Sequence, residues 1–242
     1  MKTILRTAFA PVKYMGNLYV NAVNSYVSGR PFQRHNERPI EYRFVFDSIT
    51  RSMPKTVLDV GTGTTPLPAL MAACGCSVTA IDNVKDYWPR GMVNRHWKVL
   101  DDDISQTRLK KKFDMITCIS VIEHIHDHEQ AIKSMFGLLN PDGVIIITTP
   151  FNENEHHPDA YKIPGSNLYG KNMPYICRIT DRSIVNRWVE ENDGTILKEE
   201  HWRVWDGEFW RLGRQLPVPE QTDANSPHQL ICLMIGNSRR QT

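Results

Sequence analysis

Two glycines and a carboxylate, each just after a predicted strand, are the first residues that point to chemistry. Gly61 and Gly63 follow the apolar run 57–60, which predicts a buried strand. Glycines there let the backbone turn sharply and let a ligand approach it closely. Asp82 follows the next predicted strand, 78–81, where a carboxylate can accept hydrogen bonds from ribose hydroxyls. The pattern favours a nucleotide-like ligand, although an acid like Asp82 can also simply cap a helix.

His124 is the second candidate for chemistry, and it lies beside Glu123 after the predicted strand 113–119. Open α/β sheets bind ligands at the carboxyl ends of their strands, so His124 should lie near the ligand. A neutral imidazole accepts a proton from an attacking hydroxyl near neutral pH. Alternatively, Glu123 and His124 only shape the loop. Asp127 and Gln130 resemble a capping pair, which predicts that the next helix begins after His124.

The elements that position these residues alternate between strand and helix through the centre of the chain. Apolar runs predict strands at 57–60, 78–81, 97–100, 113–119 and 144–149, and later ones at 195–204 and 230–235. Apolar residues at helical spacing predict helices that begin near Pro66, Asp127 and Asp181. We therefore predict a doubly wound, Rossmann-like α/β sheet with a terminal antiparallel strand.

Five segments carry a resemblance to a known family. A dinucleotide fingerprint requires a glycine three residues after Gly63, where this chain has Pro66. The chain instead resembles the class I S-adenosylmethionine-dependent methyltransferases. One departure is Thr65, where many members carry a glycine, and we expect it to alter the loop more than the cofactor. The matching segments, in family order, are VLDVGTG (57–63), AIDN (80–83), DDDI (101–104), FDMITCISVIEHI (113–125) and LLNPDGVIIITTP (138–150).

The resemblance implies a seven-stranded methyltransferase sheet and S-adenosylmethionine as the cofactor. Asp59 would orient the methionine ammonium through the loop, and Asp82 would hold the ribose. Asp103 would accept a hydrogen bond from adenine, against which Ile104 would pack. The acids at 101–103 could instead cap a helix or bind a divalent cation. The predicted cofactor contacts are Asp59, Gly61, Gly63, Asp82, Asn83, Asp103, Ile104 and Ser120.

A divalent metal is the other group that the resemblance raises. Some members, including small-RNA 2′-O-methyltransferases and ubiquinone-pathway O-methyltransferases, hold a metal with a Glu-x-x-Glu-His motif at this place. This chain has Ser120 where the first Glu would be, followed by Glu123 and His124. His156 or His157 could supply a distant ligand, but histidines clustered in a loop are more often polar surface. We assign no metal ligand.

The chain divides into two parts on its pattern. We predict an N-terminal helical segment over residues 1–54, with helices at 17–27 and 38–49, that covers either the cofactor mouth or one face of the sheet. Residues 55–242 form the predicted methyltransferase domain, with lid insertions near 151–180 and 205–227. Aromatic and amide residues in 151–180 would suit a lid over a hydroxylated substrate such as a sugar, or merely an ordered cover.

Composition bounds the partners and the compartment. A formal net charge of +2 argues against a strong electrostatic footprint for nucleic acid. Five cysteines without a Cys-x-x-Cys pair predict reduced thiols in a cytoplasmic protein. No apolar run approaches membrane-spanning length, and Arg6 and Pro11 interrupt any signal-peptide core.

The sequence thus predicts a methyltransferase that O-methylates a small-molecule or saccharide-like acceptor, with His124 as the catalytic base. RNA or protein methylation is the alternative within enzymes. A catalytically silent cofactor-binding module, acting through the aromatic and arginine-rich segment 205–214, is an alternative of another class. A nicotinamide dehydrogenase is disfavoured by the missing third glycine.

Overall fold

The computed structural model describes Met15, Tyr19 and residues 36–88, 91–171 and 173–238. Apart from Tyr19, the helix predicted at 17–27 lies outside this part. None of the helices in the described ranges combines the length and apolar character that a bilayer crossing requires. The helices are α1 (Arg38–Ser52), α2 (Leu67–Ala73), α3 (Val84–Tyr87), α4 (His128–Gly137) and α5 (Arg182–Glu190), with short 3-10 helices at Ile104–Gln106, Ile122–His124 and Ala160–Lys162.

One mixed sheet runs through the molecule in the order β3-β2-β1-β4-β5-β8-β6-β7. The first five of these pair in parallel, and the last three run antiparallel. This confirms the predicted doubly wound sheet with an antiparallel end. The strands are β1 (Thr56–Val60), β2 (Ser77–Asp82), β3 (Val99–Asp101), β4 (Phe113–Ile119), β5 (Leu139–Pro150), β6 (Gly194–Trp205), β7 (Gln215–Thr222) and β8 (Leu230–Asn237).

The strand order reverses between β1 and β4, because β2 and β3 extend to one side of β1 and β4 begins the other. Open α/β sheets bind ligands at such a switch point, outside the carboxyl ends of the strands. The fold therefore creates a crevice where Gly61, Asp82 and Ser120 leave their strands.

The eighth strand, β7, is one more than the seven predicted. It lies within the expected insertion 205–227 and pairs with β6 at the edge of the sheet. Pro217 and Pro219 suit an edge because proline has no N–H to donate to a further strand. Trp205 and Trp210 are buried in the core. These two residues are therefore largely unavailable to a partner at the segment 205–214, through which the silent binding module would act.

Both faces of the sheet are covered, as a largely parallel sheet requires. On one face, Phe44 and Val45 of α1 pack in a core with Ile146 of β5. On the other face, Ile145 of β5 packs in a core with Trp188 of α5. Neighbouring residues of β5 thus point to opposite sides, and α1 is part of the domain's packing.

The described part of the segment 151–180 has buried residues of its own. Phe151, Ala160 and Ile179 are fully buried. The N–H of Asn167 donates to the carbonyl of Arg211 (3.0 Å), which joins this segment to the second insertion. The boundaries that we drew for the domains and insertions stay predictions.

Truncation of Phe44 tests whether α1 belongs to the cooperative unit. Phe44→Ala should lower the free energy of unfolding by about 3–5 kcal/mol, because it leaves a cavity in a fully buried site. Urea denaturation measures this. Arg51→Ala, on the exposed side of the same helix, is the control and should change the value by less than about 0.5 kcal/mol. Equal, small effects of both variants would show that α1 is an appended arm.

Candidate cofactor and active site

A cavity of about 700 Å³ opens at the carboxyl ends of the parallel strands. Small-molecule pockets in proteins measure about 300–1,000 Å³. The structure brings together every site residue that the sequence predicted, since all of them line this cavity: Asp59, Gly61, Gly63, Asp82, Asn83, Asp103, Ile104, Ser120 and His124.

The loop after β1 is shaped by its glycines. Gly61 and Gly63 have φ values of +68° and +55°, a conformation that side chains disfavour. A Cβ on Gly61 would lie 2.4 Å from Cγ1 of Val121, so no side chain fits there. The N–H of Gly61 donates to the carbonyl of Ile81 (2.9 Å), which ties the loop to β2. The result is a bare backbone cradle on the cavity wall.

Asp82 links β2 to this loop. Its two oxygens accept hydrogen bonds from the N–H of Gly63 (2.7 Å) and from Nε1 of Trp88 (3.0 Å). Burial raises the pKa of Asp82, and these two bonds oppose the rise. A carboxylate has about four acceptor positions, so Asp82 keeps capacity for further donors.

Asp59 lies at the base of the cavity and is almost fully buried. Its oxygens accept hydrogen bonds from the hydroxyls of Thr62 and Thr117, each at 2.6 Å. Burial raises the pKa of Asp59 to about 6 despite these bonds. A cation placed near the loop would stabilise the charged form of this carboxyl.

Asp103 caps a short helix, which was one of the alternatives for this acid. Its Oδ1 accepts from the N–H of Ser105 (2.8 Å), and its Oδ2 accepts from Nδ2 of Asn83 (3.2 Å). Asn83 in turn caps α3 through the N–H of Asp86 (3.2 Å). Ile104 is buried and lines the cavity beside them. Contact of Asp103 with adenine is compatible with the cap and stays a prediction.

Helix α1 supplies residues that the sequence analysis missed. Arg38 and Tyr42 line the cavity. Behind them, Glu41 is fully buried, pairs with Nη1 of Arg38 (2.8 Å) and accepts hydrogen bonds from the hydroxyls of Ser120 and Thr148. Burial is the main reason why the pKa of Glu41 is raised. A usable signal was present, because Glu41 stands one helical turn before Phe44 on a largely apolar face.

Ser120 turns the chain over the cavity. It is a non-glycine residue with a φ of +51°, a left-handed conformation that costs on the order of 1–3 kcal/mol. Its N–H donates to the carbonyl of Thr148 (3.0 Å), and its hydroxyl bonds to Glu41. These bonds hold the turn that leads into the 3-10 helix Ile122–His124.

A backbone carbonyl fixes the tautomer of His124. Its Nδ1 lies 2.6 Å from the carbonyl oxygen of Ile176, which requires a proton on Nδ1 and leaves a lone pair on Nε2. Its ring lies 4.5 Å from that of Tyr175. Burial lowers the pKa of His124, so the ring is neutral at neutral pH. The neutral ring and the lone pair on Nε2 are two conditions for accepting a proton, and His124 meets both.

Glu123 is buried behind His124, and burial raises its pKa to about 8. Its Oε1 lies 3.8 Å from Nε2 of His124, which is beyond hydrogen-bonding distance. Arg178 fixes this loop, because its guanidinium donates to the carbonyls of Ile125 (2.9 Å) and His126 (3.2 Å).

Within the part of the chain that the structure describes, no third ligand-type side chain comes close enough to share an ion with Glu123 and His124. The described group of three that does come close enough is Glu153, His201 and His228.

A second cavity of about 440 Å³ adjoins the first. The two share His126, Met173, Pro174 and Tyr175. The amides Asn152 and Asn154, which favoured a sugar acceptor, line neither cavity. Oδ1 of Asn152 instead accepts from backbone N–H groups within its own loop.

Comparison with known sequences gives the family. A family model described as a methyltransferase domain matches residues 32–207. The ubiquinone biosynthesis O-methyltransferase of Actinobacillus pleuropneumoniae serotype 5b (strain L20) is 32% identical over 128 residues, or 48% of this chain and 54% of that relative. The protein of the same name from Coxiella burnetii (strain Dugway 5J108-111) is 28% identical over 181 residues, or 70% and 76% of the two chains. This chain therefore spans about half the length of the first relative.

Solved structures agree on the fold. The 1,6-didemethyltoxoflavin-N1-methyltransferase of Burkholderia thailandensis, solved with 1,6-didemethyltoxoflavin and S-adenosylhomocysteine, has a TM-score of 0.57 and 17% identity over 95% of this chain and 91% of its own. An S-adenosylmethionine-dependent methyltransferase from Clostridium acetobutylicum ATCC 824 has a TM-score of 0.53 and 13% identity over 92% and 99% of the two chains. The family match, the ordered motifs and this sheet together show that the chain belongs to the class I S-adenosylmethionine-dependent methyltransferases.

Proposed function

We propose that this protein methylates a hydroxyl oxygen of a small molecule, with S-adenosylmethionine as the methyl donor and His124 as the general base. The observation that carries the proposal is the single cavity lined by His124 and by all the predicted cofactor contacts. The O-methyltransferase relatives support oxygen as the acceptor atom.

The donor set of the cavity suits the nucleoside half of the cofactor. Asp82 would accept from the ribose hydroxyls at the acceptor positions that Gly63 and Trp88 leave open. Asp103 would accept from the adenine amino group, while Ile104 packs on the ring. Asn83 and Ser120 would complete the wall around them. Adenosine hydroxyls and amines are donors, which matches this excess of acceptors.

The cradle of Gly61 and Gly63 suits the amino-acid half. Arg38 would pair with the carboxylate, because its guanidinium lines the cavity and is held in place by Glu41. Asp59 would orient the ammonium through the loop. When bound, the cofactor supplies a methyl group that its sulfonium already activates. The protein's main contribution is then alignment of donor and acceptor.

The acceptor would enter through the adjoining cavity. The wall shared by the two cavities, His126, Met173, Pro174 and Tyr175, is largely apolar and aromatic. It favours a small organic molecule over a saccharide, because Asn152 and Asn154 line neither cavity. Nε2 of His124 would take the proton from the attacking hydroxyl. We expect neither nucleic acid nor protein as the acceptor.

Methyl-labelled S-adenosylmethionine tests the acceptor class. The protein is incubated with source-cell extract divided into small-molecule, polysaccharide, RNA and protein fractions. We expect label in the small-molecule fraction. Label confined to another fraction would show that the acceptor belongs to that class and not to the small molecules. Cofactor binding without label in any fraction would favour the silent binding module.

Loss of the Asp82 carboxylate should weaken cofactor binding. Asp82→Ala is expected to raise the Kd for S-adenosylhomocysteine by roughly 10- to 100-fold, since charged hydrogen bonds contribute about 1.5–3 kcal/mol. Isothermal titration calorimetry measures this. Asp86→Ala, an exposed acid four residues away, is the control. An unchanged Kd for Asp82→Ala would exclude the ribose role.

The steric limit at Gly61 can be separated from backbone strain. Gly61→Ala should raise the same Kd by at least about tenfold, because its Cβ collides with Val121. Adding Val121→Ala should recover part of the loss. Gly75→Ala carries a positive φ without any close neighbour, so it serves as the control for strain alone. Normal binding by Gly61→Ala would contradict the cradle.

The role of His124 predicts a pH profile. Transfer should fall as the pH drops through the pKa of His124, which burial places below its ordinary value of about 6.5, because only the neutral ring accepts a proton. Above that pH the rate should level off.

His124→Gln should lower kcat by roughly 10²- to 10⁴-fold and leave the affinity for S-adenosylhomocysteine nearly unchanged. His96→Gln, at an exposed histidine, is the control. Full activity of His124→Gln, with the same pH profile, would remove His124 from the mechanism.

A further inference from the structure

A second group of polar side chains lies at the antiparallel end of the sheet, away from the cofactor cavity. Glu153 follows β5, His201 lies on β6, and His228 precedes β8. Oε2 of Glu153 lies 3.6 Å from Nε2 of His228 and 3.8 Å from Nε2 of His201. This group was not predictable from the sequence, because its members are far apart along the chain.

His228 gives the strongest indication that a ligand is bound here. It is 5% exposed, and its ring stacks on Phe151. Its Nδ1 lies 2.7 Å from the carbonyl oxygen of Ser226, which requires a proton on Nδ1 and leaves the lone pair on Nε2. That buried Nε2 has no hydrogen-bond partner among the described residues. An imidazole oriented by a backbone carbonyl is typical of a metal ligand.

The other two members are also suitably prepared. Oε1 of Glu153 accepts from Nε of Arg182 (2.7 Å), so the carboxylate is held while its Oε2 faces both imidazoles. Ligating carboxylates are commonly fixed in this way. Nε2 of His201 lies 3.8 Å from Oε2 of Glu153, and the centroid of its ring lies 4.6 Å from that of His228.

Arg182 is the group that competes with a cation. Its Nη2 lies 3.2 Å from both Oε2 of Glu153 and Nε2 of His201, while its Nη1 bonds to Glu199 (2.9 Å). An ion would have to displace Nη2 from the first two atoms, but the bonds to Oε1 of Glu153 and to Glu199 could remain. The two carboxylates exceed the one guanidinium by one negative charge, which favours an added cation.

The spacing fits a transition metal. Tetrahedral ligands with bonds of about 2.1 Å lie about 3.4 Å apart. The two distances from Glu153 exceed this by a few tenths of an ångström, and all three ligand atoms lie within 4.8 Å of one another, so a small contraction would bring them to bonding distance of one ion. Two imidazoles and a carboxylate are a donor set that zinc accepts, with a fourth position left for water.

We propose that Glu153, His201 and His228 bind a divalent transition-metal ion, with zinc as the best match. The ion fastens the start of the cover segment, at Glu153, to β6 and β8. It takes no part in methyl transfer, because none of its three ligands lines the cofactor cavity.

Metal titration of the full chain tests the site. The protein is stripped with a chelator and titrated with Zn²⁺ by calorimetry, and with Co²⁺ while the visible absorption is recorded. We expect a single tight site, a higher Tm with Zn²⁺, and the intense visible bands of tetrahedral cobalt. Absence of stoichiometric binding to the wild-type chain would overturn the proposal and leave an ion-pair network centred on Arg182.

Variants locate the ion. His228→Gln and His201→Gln should each weaken Zn²⁺ binding by at least 10-fold and remove the cobalt bands. His96→Gln, at an exposed histidine, reports adventitious binding and should change neither. Circular dichroism of the stripped proteins shows that each variant is folded. Undiminished affinity in both ligand variants would also overturn the proposal.

Discussion

The candidate site depends on how the chain leaves β1. Two glycines with positive φ carry the backbone past Val121, where even a methyl group on Gly61 would collide. The loop is then fastened to β2 by three hydrogen bonds, from the N–H groups of Gly61 and Thr62 to the carbonyl of Ile81 and from the N–H of Gly63 to the carboxylate of Asp82. The same bond that shapes the cradle therefore also places Asp82 at its edge. Binding groups from two strands are thus positioned by one local constraint.

A buried carboxyl group organises the opposite wall. Glu41 reaches from α1 to the ends of β4 and β5, where it meets Ser120 and Thr148, and it holds Arg38 toward the cavity. Burying a charge-bearing group is costly unless its partners satisfy it, and here three of them do. Helix α1 is thereby coupled to the strained turn at Ser120, and through that turn to the segment that carries His124.

The parallel part of the fold was predictable because its signals are local. Strands β1, β2, β4 and β5 are runs of apolar residues, and the turn after β1 needs its glycines whatever the ligand. The role of Glu41 was not predictable, because it bonds residues that lie 79 and 107 positions away along the chain. The segment 205–214 is a similar case. Its aromatic residues made it a candidate binding surface, but tertiary packing buries Trp205 and Trp210. Likewise, β7 was not predicted, because its two prolines are compatible only with an edge strand.

A crystal structure of the protein with S-adenosylhomocysteine is the decisive test of the proposed cofactor site. We expect the ribose hydroxyls within about 2.6–3.2 Å of Asp82, adenine between Asp103 and Ile104, and the cofactor carboxylate beside Arg38. The sulfur should then face the wall that the two cavities share, at Tyr175 and beside His124. A cofactor bound with its ribose away from Asp82, or with its sulfur directed away from His124, would contradict the proposed site.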